Sequence, residues 1–114
     1  MGITNIENAN KSYRKLILWE KLKDLLVVTY ELTKLLPDSE KFGLLSQMRR
    51  AVVSVMSNFV EGYLKSSKKE KLHYLEISET SLMELEAQAE ICLILKYWNE
   101  SDYEKFEKRR SLAG

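Results

Sequence analysis

The sequence predicts an all-α fold, an up-down-up-down four-helix bundle, on three observations. Apolar residues recur at alternating three- and four-residue steps through long segments, which is the period of a helical seam. One proline and four glycines are all that could interrupt 114 residues. The segments are joined by short polar turns carrying cap signals, and short connections make neighbouring helices antiparallel. The length suits one domain, expected over residues 13–114 behind a frayed or disordered 1–12. A three-helix bundle with a frayed tail is the alternative.

The first helix is expected from about Tyr13 to Leu36. Leu18, Leu22, Leu25, Thr29, Leu32 and Leu36 form its seam. Trp19, Leu26, Val28 and Tyr30 widen the apolar surface, so this helix must touch more than one neighbour. Pro37 stops it, and Asp38 or Ser39 is able to cap the next. The second helix is expected from about Glu40 to Val60, on the seam Leu45, Met48, Val52, Val55 and Phe59. Gln47, Arg50, Ser54, Ser57 and Glu61 make a second stripe at the same spacing, and Gly62 suits a left-handed C-terminal cap.

A lysine-rich loop follows. Ser67 and Glu70 have capping-box spacing and open a third helix that can run to about Trp98. Its seam is Leu75, Ser78, Leu82, Leu85, Ala89 and Cys92, and Glu76, Glu79, Glu84, Glu86 and Glu90 make it acidic. Ser101 and Glu104 repeat the box spacing and open a short fourth helix, with Tyr103, Phe106 and Leu112 as its apolar face.

Composition narrows the function classes. With 45% apolar and 31% charged residues the chain reads as a soluble globular protein. Its formal net charge of +1 means that any nucleic-acid footprint must be local. The one cysteine, Cys92, excludes an intrachain disulfide. It sits among Ile91, Leu93 and Ile94, a setting for a buried structural thiol rather than a nucleophile. No apolar run approaches the ~20 residues that span a bilayer, and residues 1–10 are polar, so a cytoplasmic location without a membrane is expected. Glu70 and His73 give one E-x-x-H, but a di-iron bundle needs two such motifs and two further glutamates. No nucleophile elbow, phosphate loop or Cys/His pair occurs. The expectation is a non-enzyme without metal or cofactor.

Particular runs carry a resemblance. They are Trp19-Glu20-Lys21-Leu22, Tyr30-Glu31-Leu32-Thr33, Leu36-Pro37 and Glu40-Lys41-Phe42-Gly43-Leu44, then Gln47-Met48-Arg49-Arg50-Ala51 with Ser54, Asn58 and Glu61-Gly62. Ser81-Leu82-Met83-Glu84-Leu85-Glu86 and Gln88 complete them. In order and spacing, over about residues 15–98, the chain resembles the small bacterial four-helix bundle proteins first noticed as reading frames inside intervening sequences of 23S ribosomal RNA genes. Val53, Val55 and Met56 depart from that pattern, and the fourth helix is shorter than usual. The resemblance implies a ring-like homo-oligomer, a pentamer. A related group, the accessory variability determinant of diversity-generating retroelements, partners a reverse transcriptase and binds RNA through basic outer surfaces.

Two sets of candidate residues follow. Gln47, Arg49, Arg50, Ser54, Ser57, Asn58, Glu61 and Gly62 read as a helix–helix or subunit contact, with a ligand pocket as the alternative. Arg49 and Arg50 are expected to pair with carboxylates, the glutamates of the third helix being the obvious partners, with nucleic-acid contact as the alternative. Residues 50 and 61 stand about 16 Å apart along one helix, so a Glu61–arginine pair must form between helices or subunits. The second set is Lys65, Lys68, Lys69 and Lys71 at the turn into helix three, with Lys105, Lys108, Arg109 and Arg110 in helix four. These are solvated faces in a monomer, and a ring would repeat them into a multivalent basic band for RNA or DNA. Aromatics are present, but none interleaves with these lysines as a single-strand stacking platform would require. The function expected is a nucleic-acid-binding accessory protein, with a purely structural or protein-binding bundle as the alternative.

Overall fold

The computed structural model describes residues 2–114, with side chains from Tyr13 onward. It is a bundle of four helices: α1 (Gly2–Thr33), α2 (Leu44–Leu64), α3 (Lys68–Ile94) and α4 (Glu100–Ala113). No strand occurs among the described residues. α1 packs against α2 and α4, and α3 packs against the same two, so α1 and α3 face each other diagonally across the core.

The helix ends are where the sequence reading shifts. α1 begins at Gly2 rather than near Tyr13; residues 3–12 contain no proline or glycine to break it. It ends at Thr33, three residues before Leu36. The backbone there tightens into i→i+3 bonds, Leu35 N to Leu32 O at 3.2 Å and Leu36 N to Thr33 O at 3.1 Å. The residue before a proline disfavours the helical region, which accounts for the early stop. Asp38 and Ser39 do not cap α2. They lie in a separate 3-10 turn, Asp38–Glu40, and α2 starts after Gly43. Glu40 supplies the side-chain acceptor instead, its Oε1 lying 3.3 Å from the Leu44 amide.

Gly62 is not a left-handed cap either. No glycine has positive φ among the described residues, and α2 continues through Gly62 to Leu64. Its role is close approach: a Cβ there would meet Leu75 Cδ2 at 3.1 Å and the Lys71 carbonyl at 3.3 Å. Helix α3 is capped as expected, Ser67 Oγ accepting from the Glu70 amide. It stops at Ile94, short of Trp98, where Lys96 turns left-handed at φ 63°. The Tyr97 and Trp98 amides then fold back onto the Cys92 carbonyl at 2.9 and 3.1 Å. The box that opens α4 is Asn99/Asp102, not Ser101/Glu104. Asn99 Oδ1 accepts from the Asp102 amide at 2.8 Å, and Asp102 Oδ2 accepts from the Asn99 amide at 3.1 Å. Burial of Trp98 sets this start, because the next residue is the first free to cap.

The predicted seams form the core. Leu22, Leu25, Thr29 and Leu32 of α1 meet Met48, Val52, Val55 and Phe59 of α2 and Leu85, Ala89 and Cys92 of α3. In α4, Phe106 is buried as expected. Leu112 is exposed, and Ala113, one residue on, takes the inward position. Trp98 closes the top of the bundle. Its Nε1 donates to the Leu32 carbonyl at 2.8 Å, and its ring packs on Phe106 at 5.5 Å. Helix α4 has 14 residues against 27 in α3. At about 1.5 Å per residue it accompanies only half of α3. Around the α2–α3 turn the bundle is therefore three helices thick.

Candidate functional site

The small-polar stripe of α2 divides in two. Ser54 and Asn58 lie in the α2–α3 seam, while Gln47, Arg50, Ser57 and Glu61 are exposed. Ser54 Oγ and Ser81 Oγ are 2.8 Å apart, and Ser78 Oγ donates to the Val55 carbonyl at 2.7 Å. Asn58 Nδ2 donates to the Ser54 carbonyl at 2.9 Å. These bonds satisfy polar groups at a close helix contact, where an unpaired one would be costly. They tie helices within one subunit and enclose no reactive group.

The arginine pairing expected from the sequence is not what the structure shows. Arg49 turns to α1, not to the glutamates of α3. Its Nε donates to Thr33 Oγ1 at 3.0 Å, one terminal nitrogen donates to the Tyr30 carbonyl at 3.3 Å, and the guanidinium lies 4.5 Å from the Tyr30 ring centre. The last carbonyls of a helix lack intrahelical donors, so Arg49 caps α1 from a neighbouring helix. Arg50 is exposed, with no ion pair among the described residues. Glu61 pairs with Lys65 one turn on, at 3.5 Å. The i,i+4 neighbour is always within reach, which a partner on another helix is not.

Cys92 is fully buried, and its thiol points at Met48 Sδ, 3.6 Å away. Burial, with a smaller contribution from Glu40, raises its pKa from 9.0 to about 12. A thiol held neutral far above pH 7 is no nucleophile. An acid whose pKa is raised by folding stabilises the fold fully below the unfolded pKa and loses that contribution as pH climbs to the folded one. Stability is therefore expected to fall between about pH 9 and 12, and Cys92→Ala should flatten that fall in urea titrations.

The two lysine clusters differ. On α4, Arg110 is committed: it binds Glu107 through both branches of its guanidinium and approaches Glu86 at 3.6 Å. The bond to Glu107 pushes its pKa above the ordinary arginine value. Arg109 donates to the Lys105 carbonyl at 3.0 Å and borders a hollow lined by Asp24 and Glu31. Of this cluster only Lys105 and Lys108 are fully exposed.

The cluster at the α2–α3 turn is larger than the sequence suggested. Lys68 and Lys69 are exposed, and Lys65 and Lys71 are half-buried. Lys15, in the first half of α1, joins them, because its Nζ lies 5.0 Å from the centre of the Tyr63 ring. Lys15, with Arg14 next to it in sequence, thus joins Lys65, Lys68, Lys69 and Lys71, and the carboxylates of the same region are Glu61, paired with Lys65, and Glu70. Two aromatics stand beside lysines in the fold: Lys15 lies over Tyr63, and Lys65 Nζ sits 5.1 Å from the Tyr74 ring centre. Lys15 and Tyr63 are remote in sequence, so no local pattern could have paired them. The acidic residues of α3 begin above this end, at Glu76 and Glu79.

An apolar groove runs between α1 and α2, lined by Leu16, Trp19, Leu26, Val27, Val53 and Val60. Leu16, Val27 and Val53 are 57, 54 and 47% exposed, more than stray surface residues would explain in one strip. Among the described residues, no three His, Cys, Asp or Glu side chains gather as metal ligands do, and no helix is long and apolar enough to cross a membrane.

Comparison with known proteins agrees with this architecture. A solved structure from Bacteroides thetaiotaomicron VPI-5482, described as a protein with unknown function from the S23 ribosomal protein family, aligns with a TM-score of 0.77. The alignment covers 87% of this chain and 90% of that one at 21% identity, a likeness of fold. A comparison with curated proteins gives no match. The family model described as 23S rRNA-intervening sequence protein matches residues 14–111. The four helices, their seams and that match, which spans most of the chain, together establish that the protein belongs to the 23S rRNA-intervening sequence protein family.

Proposed function

We propose that this protein is a non-enzymatic, self-associating helical bundle that binds nucleic acid through the basic region formed by the α2–α3 turn and the part of α1 around Arg14 and Lys15. The observation that supports it is charge segregation. A chain of net charge +1 gathers six basic side chains against two carboxylates, Glu61 and Glu70, in this region, while the body of α3 is acidic. Phosphate backbones bind such local clusters by releasing counterions, so affinity falls steeply with salt. Lys68→Glu/Lys69→Glu is expected to weaken RNA or DNA binding about tenfold or more and to lower the salt slope by about one for each phosphate no longer neutralised. Lys105→Glu/Lys108→Glu should have the smaller effect. Unchanged affinity in the first variant, measured by fluorescence anisotropy, would sink the proposal. Arg110 is a poor test, because reversing it also breaks its bonds to Glu107 and Glu86.

The α1–α2 groove favours self-association, with the homopentameric ring that the resemblance implies as the assembly. A ring would repeat the basic end around its axis and raise avidity without new contacts. Val27→Glu/Val53→Glu is expected to lower the mass measured by light scattering to that of one chain, with the helical signal retained. An unchanged mass would show that subunits meet elsewhere. A reverse transcriptase is the protein partner suggested by the related accessory proteins, and the same groove supports the second reading, a protein-binding bundle without nucleic acid. Binding that survives high salt would favour that reading.

A further inference from the structure

We infer that the basic end takes single-stranded nucleic acid, holding bases by stacking on Tyr63 and Tyr74; this rests on the nucleic-acid reading above and narrows it to one ligand class. Two facts carry it. Each of these rings has a lysine ammonium over its face, from Lys15 of α1 at 5.0 Å for Tyr63 and from Lys65 at 5.1 Å for Tyr74, and Tyr63 is 36% exposed, so a charged side-chain end rather than packed apolar surface covers that face. Each ring is also held from another direction. Phe59, buried in the core, packs on Tyr63 at 4.8 Å, and His73 meets Tyr74 edge-on at 5.3 Å. A ring packed against an aromatic neighbour and covered by a lysine ammonium can exchange that cation for a base. The displaced Lys15 or Lys65 then stands beside the phosphate attached to the same base.

The layout suits a strand that crosses the end of the bundle. Tyr63 is in the last turn of α2, and Tyr74 is in the second turn of α3. Between them lie Lys65, just after α2, and Lys68, Lys69 and Lys71 in the first turn of α3. Aromatic faces flanking a line of cations are what sequence-tolerant single-strand binders use, because every base has a π-face. A duplex keeps its bases stacked inside and would offer only phosphates to the same surface. The carboxylates that face the site are Glu61, 3.5 Å from Lys65, and Glu70. They leave Lys68, Lys69 and Lys71 without an ion pair among the described residues.

The test compares a short unstructured single-stranded RNA with a duplex of equal length, using the full chain and fluorescence anisotropy. Tyr63→Leu/Tyr74→Leu is expected to lose about tenfold or more in single-strand affinity and to bind the duplex as before. Tyr63→Phe/Tyr74→Phe keeps both rings and should bind the single strand like the parent. If the leucine variant loses its helical signal, photo-crosslinking of a 4-thiouridine strand to the parent protein replaces it, and adducts at Tyr63 or Tyr74 support the inference. Crosslinks confined to lysines, or leucine variants that bind the single strand as tightly as the parent while Lys68→Glu/Lys69→Glu does not, would overturn stacking and leave the nucleic-acid reading standing. A parent protein that binds neither RNA overturns both. Equal binding of heparin and single strand, insensitive to the tyrosines, would also overturn it and mark a general polyanion site.

Discussion

Replacing Trp98 with alanine is expected to cost about 3–5 kcal/mol, the range for removing a buried aromatic, and to undock α4. Trp98 is 1% exposed, packs at a tilt on Phe106 and bonds to the Leu32 carbonyl, so it joins the α3–α4 connection to the end of α1. A domain of this size is stable by only about 5–15 kcal/mol, so much of the total would go. Trp98→Phe separates the contributions. It keeps most of the apolar area and loses the indole N–H, which costs about 0.5–1.5 kcal/mol. Urea unfolding followed by circular dichroism reads both. A loss below about 1 kcal/mol in the alanine variant would mean that α4 docks through Phe106 without help from this residue.

Arg49→Ala is expected to cost about 1.5–3 kcal/mol, the range for a hydrogen bond to a charged group. The side chain bonds Thr33 Oγ1 and the Tyr30 carbonyl and lies over the Tyr30 ring. It also places a positive charge at the negative end of α1. Arg49→Lys should recover only part of this, because an ammonium cannot present the planar fork. Arg50→Ala next door should change stability by about 0.5 kcal/mol or less, since Arg50 is exposed. Equal losses at 49 and 50 in denaturant titrations would contradict the cap.

The contrast between these adjacent arginines shows how far the sequence could be read. The heptad-like spacing of Leu22, Leu25, Thr29 and Leu32 announces a buried face, because burial on a helix obeys a local period, and all four are buried. The Ser67 cap was legible for the same reason, since the bond it makes spans three residues. Arg49 and Arg50 share composition and neighbours, and nothing local says that one reaches Tyr30 and the other water. Gly62 looked like a helix end because glycine often is one. What it supplies is room for Leu75, a residue on another helix. The box at Asn99/Asp102 was displaced from Ser101/Glu104 by a tertiary event, the burial of Trp98.

The candidate site shows the same division. Lys65, Lys68, Lys69 and Lys71 are a local run and could be named from the sequence. Their difference from Lys105, Lys108, Arg109 and Arg110 could not be read in full, because beside the local pair with Glu107 it depends on Glu86 engaging Arg110 across the α3–α4 contact. By itself the sequence determined an all-α bundle, its four seams and its family, since each rests on spacing that a helix turns directly into a face. Only the tertiary structure decided which charges are neutralised and which aromatics stand beside lysines. Those pairings join residues as distant as Lys15 and Tyr63, and they exist only once the antiparallel packing of the helices brings two remote segments to one end of the bundle.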